Sequence, residues 1–272
     1  MVMPGRPGTP MMSNKVPEVT IYFWIIKILA TTVGETAADF LSTTLNFGLA
    51  GTSVVMSGLL VAALIVQLAY RRYVPWVYWV TVVLISIVGT LITDNLVDGL
   101  GASLEATTTA FSLALALSLG VWYASERTLS IHTIITTKRE LFYWAAILFT
   151  FALGTAGGDL AAEGFSLGYA QAALIFASAI AMVAMAHYFL KMNAVLAFWI
   201  AYILTRPLGA SIGDLLSQSP DNGGIGVGTV ATSAIFLMTI IALVVYLTIS
   251  GKGRMPAGSF PEAADESAGA ND

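Results

Sequence analysis

Long apolar runs broken by short polar turns dominate the chain. Eight of them fall at about 19–41, 50–70, 76–97, 106–124, 141–162, 168–190, 194–216 and 227–249. Each is close to the roughly 20 residues a helix needs to cross a bilayer. The runs do not alternate in period two, as the strands of a membrane barrel would. The pattern therefore predicts an all-α, polytopic membrane protein with eight transmembrane helices.

A skeleton recurs inside alternate runs: a Trp, a Gly ten residues later and an Asp five residues beyond that. Trp24, Gly34 and Asp39 form the first copy, and Trp79, Gly89 and Asp94 the second. Trp144, Gly154 and Asp159 form the third, and Trp199, Gly209 and Asp214 the fourth. The copies start 55, 65 and 55 residues apart, so two halves of four helices superpose with one offset of 120. Internal repetition at such a period means a repeat architecture. Each repeat holds two helices, so every copy enters the membrane in the same direction and the repeats are parallel. The predicted division is 1–17, a disordered lead; 18–71 and 72–125, repeats 1 and 2; 126–140, a loop; 141–192 and 193–250, repeats 3 and 4; and 251–272, a disordered acidic tail.

Composition agrees. Of the 272 residues 57% are hydrophobic and 10% charged, against about 25% charged in soluble domains. There is no Cys, which excludes disulfides and thiolate metal sites. A net charge of −4 without a basic patch gives no sign of a nucleic-acid partner, and no GxxxxGK[ST] run points to ATP use. The lead lacks the features of a secretory signal, because Lys27, Glu35 and Asp39 interrupt the first apolar run. Ten of the 12 Lys and Arg residues fall on one side of the predicted topology; the exceptions, Lys27 and Arg206, are intramembrane. By the positive-inside rule both termini are cytoplasmic, in a bacterial inner membrane.

The parallel repeats put Asp39, Asp94, Asp159 and Asp214 at one depth. With a rise of about 1.5 Å per residue, a Trp at the inner interface places its Gly about 15 Å deeper and its Asp about 7 Å further. The Trp and neighbouring aromatics read as interfacial belt anchors. A carboxylate in a spanning helix costs a few kcal/mol and marks a cavity or partner. Glu35/Asp39, Asp94/Asp98 and Asp159/Glu163 are i,i+4 pairs on single helix faces. Such pairs persist by holding a proton, facing water or sharing a cation. If the four helices converge, they form an acid-lined vestibule that titrates as a coupled group. Oxygen-only ligation by Glu35, Asp39, Asp94, Asp159 and Asp214 suits a divalent ion such as Mn²⁺ or Mg²⁺. The competing reading is structural, with each Asp capping a turn.

Residues that break the symmetry carry the functional signal. Glu35 has counterparts Thr90, Thr155 and Ala210; Arg206 has Thr31, Ser86 and Phe151; Lys27 has Val82, Ile147 and Tyr202. Lys27 and Arg206 are candidate counter-charges, with snorkelling as the alternative for Lys27. Gly34, Gly89, Gly154 and Gly209 fit close helix contacts better than hinges. Even so, TTVGE in the first span and TRPLG in the seventh, with Pro207, are the candidates for an interrupted, substrate-facing helix. His132 and His187 lie on the side away from the acids and carry no site. ERTLSIHTI is apolar enough for a loop to lie along the interface.

These segments also carry a resemblance. TTVGETAADFLS, GTLITDNLVDGLG, ERTLSIHTI, ELFYWAAILFTFALGTAGGDLAAE and FWIAYILTRPLGASIGDLLS together resemble the bacterial tandem-repeat membrane family of unknown function, over about residues 18–250. The resemblance implies four repeats, eight helices and an inner-membrane location, and no activity.

The charges, then, lead to the expectation of a secondary transporter rather than an enzyme. Its cargo is a cation, first a divalent metal such as Mn²⁺, with proton exchange through the carboxylates. A small organic cation or acid is the alternative cargo, with Arg206 binding an acid. A membrane-embedded metalloenzyme or a structural or sensing protein is the alternative class. No covalent cofactor is implied; a bound divalent ion and the lipid bilayer are the expected partners.

Overall fold

The computed structural model describes residues 14–253. Within them the chain forms eight long helices and no strand: α1 Ile21–Asp39, α2 Gly48–Ala69, α3 Pro75–Asp94, α4 Leu104–Glu126, α5 Thr137–Asp159, α6 Tyr169–Leu190, α7 Ala194–Ser217 and α8 Thr229–Ser250. All eight are long and apolar enough to cross a membrane. Ends are set by local chemistry. The side chains of Thr20, Ser103, Thr136 and Asn193 cap α1, α4, α5 and α7 by accepting from first-turn N–H groups, and Pro75 opens α3.

The odd-numbered helices form a closed ring. α3 packs on α1 and α5, and α7 packs on α5 and α1, so α1 stands diagonally opposite α5. Each even-numbered helix lies outside: α2 against α3, α4 against α5, α6 against α7, and α8 back against α1. Burial follows, with 61–72% of each inner span buried against 0–22% of each outer one. The apolar face of the outer helices is thus left for lipid.

Two contacts repeat around the ring, each linking one copy to the next. The first is the glycine. A Cβ added at Gly34 would overlap Ser86, at Gly89 Phe151, at Gly154 Arg206, and at Gly209 Thr31. Every repeated Gly therefore receives the residue eight before the next repeat's Asp, as small residues allow where helices approach closely. The second is aromatic. Phe23 packs on Trp79 at 5.7 Å, Tyr78 on Trp144 at 5.5 Å, Tyr143 on Trp199 at 6.4 Å and Phe198 on Trp24 at 5.8 Å. This corrects the belt-anchor expectation: Trp79, Trp144 and Trp199 are buried, because the ring closes through them and not through lipid contact.

Two further expectations need correction. The helices are not interrupted at Gly34, Gly89, Gly154, Pro207 or Gly209; α1, α3, α5 and α7 run through them. Pro207 is accommodated because Gly154 and Gly158 lie against it, where side chains would crowd the ring. Irregular backbone appears instead just beyond the acids, as five-residue π-helical turns at Phe40–Thr44, Asn95–Gly99 and Leu160–Gly164. Finally, part of the expected disordered lead is ordered: Lys15 and Val16 are buried. Residues 1–13 and 254–272, and so most of the lead and tail, lie outside the described residues.

The glycine contacts give a sharp contrast. Gly209→Ala should destabilise the protein by about 1–3 kcal/mol through overpacking. Gly157→Ala, where an added methyl meets nothing, should be neutral or stabilising by up to about 1 kcal/mol. Thermal melts in detergent would show it, and equal melting of the two variants would refute the ring packing.

Candidate functional site: an acidic cavity above a buried ion pair

The repeat geometry places corresponding residues of the inner helices in layers, which can be followed from the end where α1 starts and α8 stops, here the terminal end, to the opposite, acid end. Lys27, with Val82, Ile147 and Tyr202, comes first. The layer of Thr31, Ser86, Phe151 and Arg206 follows, then Glu35, Thr90, Thr155 and Ala210, and then the four Asp. Every member of the first two layers is buried.

Arg206 joins all four inner helices. Its side chain rises from α7 by about the 5.4 Å of one helical turn into the Glu35 layer. There Nη2 donates to Glu35 Oε2 at 2.8 Å and to Thr155 Oγ1 at 2.7 Å, and also to Thr90 Oγ1. Nη1 donates to the Thr31 carbonyl at 3.3 Å. The two Thr hydroxyls donate in turn to carbonyls on their own helices, Ser86 at 3.2 Å and Phe151 at 3.1 Å. Arg206 is 0% exposed and Glu35 8%. The guanidinium thus meets the same position of the other three repeats, and Gly154 makes room for its stem.

On the acid side of this pair lies a cavity of about 520 Å³. Asp39, Asp94, Asp159 and Asp214 all line it, with Glu35 at its floor and Asp98, Glu163, Thr43, Gln218 and Tyr169 nearer its mouth. Asp98 and Glu163 are exposed, and the Tyr169 hydroxyl donates to Glu163 Oε1 at 3.1 Å. The expected vestibule is present, and every acid named from the sequence contributes to it. The capping alternative fails for Asp39, Asp94 and Asp159, whose side chains cap none of the turns that follow them. The expected metal set is not assembled: among the described residues no three acidic or histidine side chains gather closely enough to hold a metal ion. The carboxylates line the wall of a wide chamber and do not converge on a point.

Below Arg206, Lys27 is fully buried with its ammonium 4.0 Å from the centre of the Phe151 ring and 4.3 Å from that of Tyr202. It does not snorkel. Lys27 Nζ, Ser86 Oγ, Arg206 Nε and the indole N–H groups of Trp79 and Trp144 are buried without a hydrogen-bond partner. Unpaired buried polar atoms are rare, and these five belong to the ring helices between the acid cavity and the terminal end. His132 is exposed at that same end, and His187 Nδ1 bonds the Met192 carbonyl at 2.9 Å; neither approaches the acids.

Sequence reasoning missed Lys15 and Glu140. Lys15 Nζ pairs with Glu140 Oε2 and donates to the Leu68 carbonyl at 3.2 Å, and Gln67 Nε2 donates to Glu140 Oε1 at 3.0 Å. A lysine in a short polar lead carries no periodic signal that could have revealed it.

A ring of four inner helices wrapped by four outer ones, with one buried Arg–Glu pair beneath a shared acidic cavity, defines a four-repeat membrane protein. The chain belongs to the family described as a repeat of unknown function (DUF347), which it matches at residues 22–73, 77–128, 142–193 and 197–252. No curated protein matches the chain, and no solved structure does.

Removing one partner of a buried pair strands the other, at a cost of about 3–5 kcal/mol. Arg206→Met should therefore lower stability by about that much, and adding Glu35→Gln should recover part of it. A double-mutant cycle from detergent melts reads this coupling, and additive effects would show that the pair does not hold the ring.

Proposed function

We propose that this protein is a secondary transporter of a cation, seated in the bacterial inner membrane with both termini cytoplasmic, and that the acidic cavity is its outward-facing binding chamber. One observation carries the reading: four carboxylates, one from each repeat, share a single cavity whose floor is Glu35, the partner of the buried Arg206. Basic residues at the opposite end support the orientation.

A cavity lined by one sign of charge concentrates counter-ions. Like-charged carboxylates in one chamber also share protons as a group. A cation entering the chamber displaces those protons and competes with Arg206 for Glu35. Its binding therefore tightens as pH rises, and exchange of cation for protons supplies the coupling. Because the acids line a chamber and form no tight cage, the first-choice cargo, a divalent ion such as Mn²⁺, is taken up with water between it and the carboxylates. The cavity's volume favours a second reading, a small organic cation. The transport reading is preferred to an enzymatic one because the histidines stand at the far end, away from the carboxylates and hydroxyls that line the cavity.

Flux of Mn²⁺ and of tetramethylammonium into proteoliposomes tests the proposal. Asp94→Asn, Asp159→Asn and Glu35→Gln should each reduce flux of the transported ion by about ten-fold or more, equivalent to ~1.4 kcal/mol of lost interaction. Flux of both probes that is indifferent to all three substitutions would discard the chamber's role.

A further inference from the structure

The terminal end of the ring is closed in a way the repeats do not explain. Residues 14–20 precede α1 in an irregular path that bends at Lys15 and Val16. They begin at α1, yet Lys15 reaches the first turn of α5, where Glu140 lies, and the last turn of α2, where Gln67 and Leu68 lie. α5 is diagonal to α1 in the ring. Packed helices lie about 8–10 Å apart, so the diagonal of a four-helix ring is about 13 Å. Five residues span at most about 17 Å, so the segment can cross it even with its bends.

The crossing is fastened at every step. Asn14 Nδ2 donates to the Ile131 carbonyl at 3.1 Å and the Lys15 N–H to the Ile134 carbonyl at 3.2 Å. Val16 is 2% exposed and packs into the same core as Ile131 and Ile134. The Glu18 N–H donates to the Gly253 carbonyl at 3.0 Å. Glu140 has no acidic counterpart in the other repeats, where Thr20, Pro75 and Val195 stand. A buried carboxylate that serves no repeat and accepts from a lysine outside the repeats is a fastening specific to this segment.

We propose that residues 14–20 are a strap that gates the terminal end of the ring, latched by the Lys15–Glu140–Gln67 cluster. The Lys15 ammonium occupies the carboxylate that a cation leaving on that side would meet, so strap release and cation exit compete for one group. The proposal rests on the transport reading for its purpose, but the gate itself is tested without it.

The chain lacks cysteine, so single reporters can be introduced directly. Val16→Cys, treated with a membrane-impermeant thiol reagent from each face of oriented vesicles, should resist labelling in the parent. With Glu140→Gln, which strands a buried ammonium, labelling from the terminal side should rise by about a hundred-fold, while the acid side stays unchanged. Lys15→Met, which leaves Glu140 bonded to Gln67, serves as the milder second variant. An unchanged rate in both would overturn the latch. A short cleavable thiol linker between Asn14→Cys and Ile131→Cys should stop Mn²⁺ or tetramethylammonium flux, and cleavage should restore it. Full flux through the linked protein would overturn the gate. If the unlinked protein carries neither probe, the transport reading fails, and Val82→Cys decides the gate. It sits at the Lys27 level and should label from the terminal side only when the strap is released; labelling that ignores the strap would overturn the gate.

Discussion

Arg206 is the interaction on which the interior depends. A guanidinium out of water is costly unless its charge is balanced and its terminal nitrogens find acceptors. Here the balancing carboxylate comes from α1, two hydroxyls come from α3 and α5, and a backbone carbonyl comes from α1. No two adjacent helices could supply that set, so the ring must close around the side chain for it to be stable. The Thr hydroxyls can accept from Arg206 because their protons are committed to carbonyls one turn back on their own helices. The network is directional and uses one member of every repeat.

The same slot shows how a symmetric scaffold acquires an asymmetric site. The notch beside each repeated glycine is filled by Ser86, Phe151, Arg206 or Thr31: a small hydroxyl, a ring, a cation, another small hydroxyl. The backbone geometry is shared while the chemistry differs. One layer outward, Glu35 stands where Thr90, Thr155 and Ala210 stand in the other copies, and only the notch that holds Arg206 has a carboxylate to face. The fold constrains glycine, and function is free to vary beside it.

Much of this was legible in the sequence. Spacing alone set the repeat, the number of spans and the common level of the four Asp, because helices convert residue number into depth at a fixed rise. Breaks in symmetry pointed to Glu35 and Arg206. The readings that failed did so where spacing carries no information. Trp79 and Trp144 have the composition of interfacial anchors, and only the ring's closure reveals that they face inward. Pro207 looked like a helix break because the sequence does not show Gly158 lying opposite. The π-helical turns after Asp39, Asp94 and Asp159 have no common residue signature. Lys15 sits in a segment whose composition resembles an unstructured tail, and its partner Glu140 is 125 residues away.

The two ends of the ring differ in a way that bears on mechanism. Both present a carboxylate held by a cation from the chain itself, Glu35 by Arg206 and Glu140 by Lys15. Arg206 is anchored mid-helix and bonded to three helices besides its own, so it can yield a little of its hold on Glu35 without leaving. Lys15 stands on a segment outside any helix, whose departure would break its bonds to Ile131, Ile134 and Gly253 and expose Val16 but would unwind no helix. Local opening concentrates where backbone is irregular and contacts are few, which makes the strap the more readily moved of the two. A charge that lodges at Glu35 loosens one pair but leaves the aromatic girdle of Trp24, Trp79, Trp144 and Trp199 intact beneath it. If the ring conducts a cation as proposed, the barriers lie in series: the Arg206–Glu35 pair, the packed aromatic layer, and the segment fastened by Lys15 and Glu140. On the transport reading proposed above, a cation would pass three buried cations of the chain in turn, Arg206, Lys27 and Lys15, and at Glu35 and Glu140 it would exchange for a proton or for the protein's own charge.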